Sequence, residues 1–84
     1  MSRFEELEAF VQIAHSGSIS GAARVLRVAK SAVSRRLSDL EARLGVQLFA
    51  RTTRSLSLTD AGARFLKRAE ALLEDIEEAE GEAS

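Results

Sequence analysis

The sequence predicts a mainly α-helical domain with three short helices, a small β-hairpin and one long C-terminal helix. Its 84 residues include no proline, and the abundant alanine, leucine, glutamate and arginine residues have high helix propensity. Apolar residues recur every three or four positions in four segments, a spacing that gives a helix one apolar face. Between the third and fourth segments, Leu56, Ser57 and Leu58 alternate with a period of two, as in a strand.

An apolar stripe marks the first predicted helix, over residues 3–15. Gly17 ends this helix, because glycine readily takes the left-handed conformation that follows many helices. Ser18 is a capping residue, since its hydroxyl can accept a hydrogen bond from an amide of the next helix. That second helix is short, over residues 19–27, with a buried edge of Ala22, Ala23 and Leu26. The stripe of the first helix consists of Phe4, Leu7, Val11 and Ala14.

The third predicted helix, over residues 30–44, has an apolar face and an opposite face that is polar and basic. Ala29 has no capping side chain, so the helix is expected to begin later, with Ser31 near its first turn. Gly45 ends the helix. The apolar face consists of Val33, Leu37, Leu40 and Leu44, and the polar face of Lys30, Ser31, Ser34, Arg35, Ser38 and Arg43.

A β-hairpin with a cationic tip is expected within residues 46–58. Leu48 and Phe49 form a short apolar pair before the tip, and the residues with period-two alternation follow it. The tip consists of Arg51, Thr52, Thr53, Arg54 and Ser55.

The fourth predicted helix begins after Thr59, a capping residue, and Asp60 in its first turn suits the helix dipole. Over residues 59–80 this helix would be about 33 Å long, too long for so small a domain to cover. Its distal half is therefore expected to pack on another chain through a heptad seam. The domain would then divide into residues 1–58 and a linker or dimerisation helix, 59–84. The predicted dimer interface consists of Phe65, Ala69, Leu72, Leu73, Ile76 and Ala79.

The charges are unevenly distributed along a chain whose net charge is only -1. Residues 1–23 carry -2, residues 24–68 carry +8, and residues 69–84 carry -7. A basic middle between acidic ends predicts a polyanion-binding face on one part of the domain.

The composition argues against several other classes of function. Without cysteine, and with His15 as the single histidine, the chain predicts no disulfide and no metal site. It has no apolar run long enough to cross a membrane and no basic-then-apolar leader, so a cytoplasmic protein is expected. The clustered carboxylates fall on an exposed helix and no glycine-rich phosphate loop occurs, so neither an enzyme nor a cofactor is predicted.

Two short helices, a helix with a basic face and a basic hairpin, in this order, predict a winged helix-turn-helix. The major groove of B-DNA is about 12 Å wide and admits one helix, whose N-terminal residues reach the base edges. The hairpin tip can contact the neighbouring groove or phosphates. The sequence therefore predicts binding to double-stranded DNA.

The segment 7–62 also resembles the N-terminal DNA-binding domain of LysR-type transcriptional regulators. The resemblance is carried by an ordered set of residues and not by any single dipeptide. These are Leu7, Phe10, Gly17–Ser20, Ala22, Ala23, Leu26, Ala32–Ser34, Leu40–Glu41, Leu44–Gly45, Leu48–Phe49, Arg51, Leu58–Thr59 and Gly62.

The resemblance implies a dimeric, usually tetrameric, regulator that binds a partly palindromic promoter site. It also implies a C-terminal domain that binds a small-molecule effector and is absent from this chain, so the sequence is interpreted as a fragment of a longer protein. The family often has a small hydroxyl residue, glutamine, and proline or serine where this chain has Ala29, Lys30 and Ser31. Lysine favours guanine acceptors or a phosphate over adenine.

The predicted DNA contacts lie on the third helix and on the hairpin tip. Base contact is expected for the start of the helix and for Arg35, and phosphate contact for Ser34, Arg36 and the tip threonines. Alternatives remain for Arg51, which could contact DNA or pair with Glu41, and for the second-helix arginines, which could bind phosphate or be solvated. The full set is Lys30, Ser31, Ser34, Arg35, Arg36, Thr52, Thr53 and Arg54.

A second hypothesis is a helical protein-interaction module whose acidic C-terminal arm recruits a partner. The heptad seam favours it, and the basic middle segment argues against it. In either case the four phenylalanines, Phe4, Phe10, Phe49 and Phe65, are expected in the core and not stacked on bases.

Overall fold

The computed structural model describes residues 2–52 and 55–84. Its elements are α1 (Arg3–Ser16), α2 (Ile19–Leu26), α3 (Lys30–Leu44), β1 (Phe49–Arg51), β2 (Leu56–Leu58) and α4 (Asp60–Ala83). The two strands pair antiparallel, with Phe49 opposite Leu58 and Arg51 opposite Leu56. The predicted fold class, a winged helix-turn-helix followed by a long helix, is confirmed.

Local capping signals set the helix ends, mostly as predicted. Gly17 ends α1 in the left-handed region at φ 79°, and the Ser18 hydroxyl accepts from the Gly21 amide at 2.9 Å. Arg27, which ends α2, takes φ 59° without being glycine. The sequence analysis did not identify the box at the start of α1, where Ser2 and Glu5 cap each other's amides.

The predicted bounds of α3, residues 30–44, are confirmed, and the later start that the missing cap suggested is wrong. Lys30 is already helical, although Ala29 makes no side-chain cap. The Ala29 carbonyl instead accepts from the amides of Ala32 and Val33, at 3.0 and 3.2 Å. Burial of Val33 and Leu37 against the other helices holds this first turn in place.

The core centres on Phe10, whose ring lies 5.4 Å from those of both Phe49 and Phe65. These tilted contacts join α1, β1 and α4. The prediction that Phe4 also belongs to the core is wrong, because Phe4 is 42% exposed. Phe4 lies in the first turn of α1, beside the distal part of α4, where no third element covers it. The fully buried side chains of α1 are Ala9, Phe10 and Ile13.

The long helix α4 packs against its own chain over much of its length. Gly62 lies directly on the Leu48 carbonyl, and Ala69 is fully buried. Further along, Phe4, Glu8 and Gln12 of α1 share a groove with Leu73, Ile76, Glu77 and Glu80 of α4. One expectation is therefore corrected, because Ala69 has no exposed surface to offer a partner. Residues 74–84 are all exposed, so the packing of the distal half on another chain stays a prediction.

Candidate nucleic-acid interface

The polar face of α3 turns away from the core that the other face of the helix helps to build. Val33, Leu37 and Leu40 are buried, because they occupy the side that packs on α1 and α2. Most residues predicted as DNA contacts on this helix lie on the opposite side. Lys30, Ser31 and Arg35 are exposed, and Ser34 is half-buried.

The neighbouring arginines of α3 have different environments. Residues next to each other on a helix point about 100° apart, and here that rotation separates solvent from protein. Arg35 is exposed, whereas the side chain of Arg36 is only 14% exposed and its Nη2 lies 3.8 Å from Glu5 Oε2. The buried Nε of Arg36 has no hydrogen-bond partner among the residues that the structure describes. Arg36 thus faces α1 and not the exposed polar face.

A buried carboxylate ties the end of α3 to α1. Glu6 is the one charged residue buried in the described part of the chain, and it forms an ion pair with Arg43 Nη2. Glu6 belongs to the inner face of α1, where a charge needs a partner because burial removes its hydration. Arg43, which the sequence placed on the polar face of α3, therefore neutralises Glu6.

Glu41 ties α3 to the hairpin. Its carboxylate accepts from the amides of Leu48 at 2.8 Å and Phe49 at 3.3 Å, and from Arg51 Nη2 at 3.3 Å. Of the two alternatives considered for Arg51, the pairing with Glu41 is the one observed. The sequence did not indicate the two amide contacts.

The described residues of the hairpin tip are polar and form hydrogen bonds with each other. The Thr52 amide donates to the Ser55 carbonyl at 3.1 Å, and the Ser55 amide donates to Thr52 Oγ1 at 3.1 Å. Thr52 and Ser55 are both exposed. Two predicted DNA contacts, Thr53 and Arg54, lie outside the described residues.

Two open clefts border α2, the first helix of the helix-turn-helix. One, of about 350 Å³, separates the start of α2 from the hairpin and is lined by Ser18, Ser20, Arg51, Thr52 and Ser55 among others. The other, between α2 and α3, is lined by Ser20, Ala23, Arg24, Val28 and Lys30. Hydroxyls, amides and cations of this kind hydrogen-bond to phosphate oxygens. The sequence analysis did not identify the cleft between α2 and the hairpin, because its walls come from segments far apart in the chain.

Ion pairs divide the basic middle segment into two groups of cations. Arg36, Arg43 and Arg51 each pair with a carboxylate, of Glu5, Glu6 and Glu41 respectively. Within residues 2–52 and 55–84, four other cations of the helix-turn-helix have no ion pair and are exposed. They are Arg24, Arg27, Lys30 and Arg35. These four cations of the helix-turn-helix therefore remain available for a polyanion, and Arg64, Lys67 and Arg68 of α4 are exposed as well.

Other kinds of site find no support in the described residues. No group of three or more histidine, aspartate or glutamate side chains there is arranged to hold a metal ion. None of the helices seen in the structure has both the length and the apolarity to cross a membrane.

The predicted seam residues of α4 differ in exposure. Phe65 and Leu73 are half-buried against the core of the same chain. Leu72 is 50% exposed and Ile76 is 37% exposed. Ala79, one turn further on, is also exposed.

Comparison with known proteins places this arrangement in a family. Residues 4–63 match the model for bacterial regulatory helix-turn-helix proteins of the lysR family. The HTH-type transcriptional regulator CrgA of Neisseria meningitidis is 53% identical over 78 residues, which is 93% of this chain and 26% of the relative. The chain thus spans about a quarter of the length of the curated relatives it matches.

Two solved structures with DNA have the same fold. The DNA-binding domain of CbnR in complex with DNA superposes with a TM-score of 0.89 at 34% identity, covering 98% of this chain and 94% of that one. The DNA-binding domain of BenM, in complex with catB site 1 DNA, gives a TM-score of 0.93 at 29% identity, covering 98% and 92%.

Proposed function

The chain belongs to the lysR family of bacterial regulatory helix-turn-helix proteins, and we propose that it binds double-stranded promoter DNA sequence-specifically as a homodimer. The observation that carries the proposal is the exposed basic face at the start of α3, where Lys30 also lines the cleft between α2 and α3. The likeness of the chain to two DNA-binding domains solved in complex with DNA supports the proposed DNA binding.

In this proposal the exposed side chains of α3 contact base edges. Ser34 and the hairpin contact the sugar-phosphate backbone of the DNA. Lys30, Ser31 and Arg35 face the major groove from the first two turns of the helix, where the groove admits side chains. Ser34 donates to a phosphate. The hairpin contributes Thr52, Thr53 and Arg54 to the adjacent groove or phosphates. Arg36 is assigned to holding α3 on α1, because its side chain turns toward Glu5.

The homodimer would form through the side of α4 that α1 leaves uncovered. Leu72 presents apolar surface there, Ile76 adds the part of its side chain that is exposed at the groove with α1, and Ala79 allows close approach of a second helix. Two copies of α3 would then reach half-sites one or more helical turns apart. Residues 1–58 would contact DNA, and residues 59–84 would connect the two copies.

The remaining properties concern the whole regulator. Since the relatives are about four times longer than the matched part, effector binding and tetramer formation are assigned to residues outside this sequence. A cytoplasmic location is proposed because the promoter DNA is there.

The test is a selection of duplexes from genomic fragments at physiological salt, followed by a salt titration of the best duplex. With three or four cations engaged per protomer, the slope of log K against log salt should be roughly -5 to -7 for the dimer. Recovery of an inverted repeat with fixed spacing would support dimeric base recognition. A slope near zero on every duplex would contradict DNA binding.

The second candidate, a protein-interaction module, is favoured by one observation, the exposed acidic surface of the distal half of α4. It predicts a complex with a basic protein and no complex with DNA. The same salt titration separates the two functions, because only the first requires cations of α3.

A further inference from the structure

We infer that Glu41 is a positioning residue for DNA recognition, which fixes the hairpin relative to α3 so that both contact the same half-site. The inference rests on the proposed DNA binding and adds a residue that would not itself contact the DNA. Its basis is the set of bonds that Glu41 makes to the connection between α3 and β1.

Glu41 binds four of the five backbone amides at 45–49. Its main-chain carbonyl accepts from Gly45 at 2.8 Å and Val46 at 3.2 Å. Its carboxylate accepts from Leu48 at 2.8 Å and Phe49 at 3.3 Å. One residue of α3 therefore determines the path by which the chain leaves the helix and enters the first strand.

The carboxylate bonds are also well placed to resist movement. The Glu41 side chain is only 11% exposed, so water competes weakly for its oxygens. A charged acceptor makes stronger hydrogen bonds than a neutral one. Leu48 and Phe49, the residues it holds, are 1% and 3% exposed, so they are anchored in the core as well.

The hairpin tip follows directly from this anchored base. Phe49 begins β1, and Arg51 ends it opposite Leu56 of β2. Glu41 also holds Arg51 from the side, at 3.3 Å. Rotation of the base would displace the tip relative to Lys30 and Arg35, which lie on the same helix as Glu41.

A simpler account is that Glu41 only neutralises Arg51. The two accounts predict opposite effects of Glu41→Gln. Removing a negative charge and releasing Arg51 would by itself strengthen binding to a polyanion. If Glu41 positions the hairpin, the same substitution weakens binding, because the tip no longer reaches its phosphates.

The experiment uses the full 84-residue chain and a duplex that the wild-type chain selects from a random library. Affinity is measured over a salt series for the wild type, Glu41→Gln, the tip variant Arg54→Ala, and the double variant. Loss of one phosphate contact lowers the steepness of the salt dependence by about one per protomer. We expect each single variant to lower the steepness of the salt dependence by about one per protomer. The double variant should lower it no further.

Two additional variants control for charge and for folding. Asp39→Asn removes a carboxylate from an exposed position two residues earlier on α3, and should leave the salt slope unchanged or steeper. Glu41→Asp keeps the charge but shortens the reach to the amides of Leu48 and Phe49. It should weaken DNA binding as Glu41→Gln does, and it carries the test if Glu41→Gln does not fold.

Hydrogen exchange of the Leu48 and Phe49 amides provides a readout without DNA, and both should exchange faster in Glu41→Asp. Unchanged exchange, or DNA binding by the Glu41 variants as tight as that of the wild type, would overturn the inference. Failure of the wild type to bind any duplex would instead contradict the proposed function, and the role of Glu41 with it.

Discussion

His15 Nε2 lies 2.6 Å from Glu70 Oε2, and this contact joins the last turn of α1 to the middle of α4. The two residues are 55 positions apart in the sequence. We propose that α4 forms the dimer interface. The contact therefore connects that interface to α1, the helix on which α3 packs. The sequence analysis did not predict a partner for His15.

Breaking this contact should loosen α4 with a small loss of stability. Both side chains are more than a third exposed, so His15→Ala or Glu70→Gln should each cost less than about 1 kcal/mol of unfolding free energy. Urea denaturation of both single variants and the double variant measures the coupling between them. Glu74→Gln, one turn further along α4, is the control. Strictly additive losses would show that the contact contributes nothing.

Gly62 should tolerate no side chain. A Cβ there would lie 2.0 Å from the Leu48 carbonyl oxygen, and backbone cannot move aside easily. We expect Gly62→Ala to lower stability by about 3 kcal/mol or to prevent folding. Gly81→Ala is the matched control within the same helix, because nothing lies within 4 Å of its added Cβ. It should gain up to about 1 kcal/mol through helix propensity. Thermal unfolding followed by circular dichroism distinguishes the two, and equal effects would contradict the packing account.

Phe10 and Phe4 provide a second matched pair, one in the core and one at its edge. Phe10 is fully buried between two other rings, so Phe10→Ala should cost about 3–5 kcal/mol. Phe4→Ala should cost far less, because Phe4 is 42% exposed. Denaturant midpoints of the two variants give the comparison. A larger loss for Phe4→Ala would mean that a partner covers it in solution.

The dimer proposal predicts that a charge at Leu72 weakens dimerisation, whereas a charge at Ala69 prevents folding. Leu72 is half exposed in the single chain, so Leu72→Glu should raise the dimer dissociation constant at least tenfold and leave helicity unchanged. Ala69 is fully buried, so Ala69→Glu should unfold the domain by burying an unpaired charge. Sedimentation equilibrium and circular dichroism provide the two readouts. An unchanged dissociation constant for Leu72→Glu would remove α4 from the interface.

Substituting an exposed arginine of α3 should affect DNA binding, whereas substituting an arginine paired with a carboxylate should affect stability. Arg35→Ala should reduce the steepness of the salt dependence of DNA binding by about one per protomer, with little change in stability. Arg43→Ala should leave that slope unchanged and cost about 1–3 kcal/mol of stability, because it leaves the buried Glu6 carboxylate without its partner. Salt titrations and urea denaturation test both statements. A smaller slope for Arg43→Ala would place Arg43 on the DNA.

The sequence determined where the elements begin and end, because those signals are local. Gly17, Ser18 and Thr59 act on neighbours within about one turn, so their roles can be recognised without a structure. The 3.6-residue period likewise predicted four helices, and the alternation at 56–58 predicted a strand. The late start expected for α3 was wrong because burial further along the helix outweighed the missing cap.

The tertiary structure alone decided which surfaces are covered and which charges are neutralised. The sequence predicted DNA contacts for both Arg35 and Arg36, yet Arg36 faces Glu5 of α1 and Arg35 is exposed. The apolar residues of α4 share one period, yet Ala69 is buried in the core and Leu72 is exposed. Such contacts join residues tens of positions apart, and their formation depends on how the helices cross. A pattern of spacing can show that a residue lies on a face, but only packing determines what that face meets.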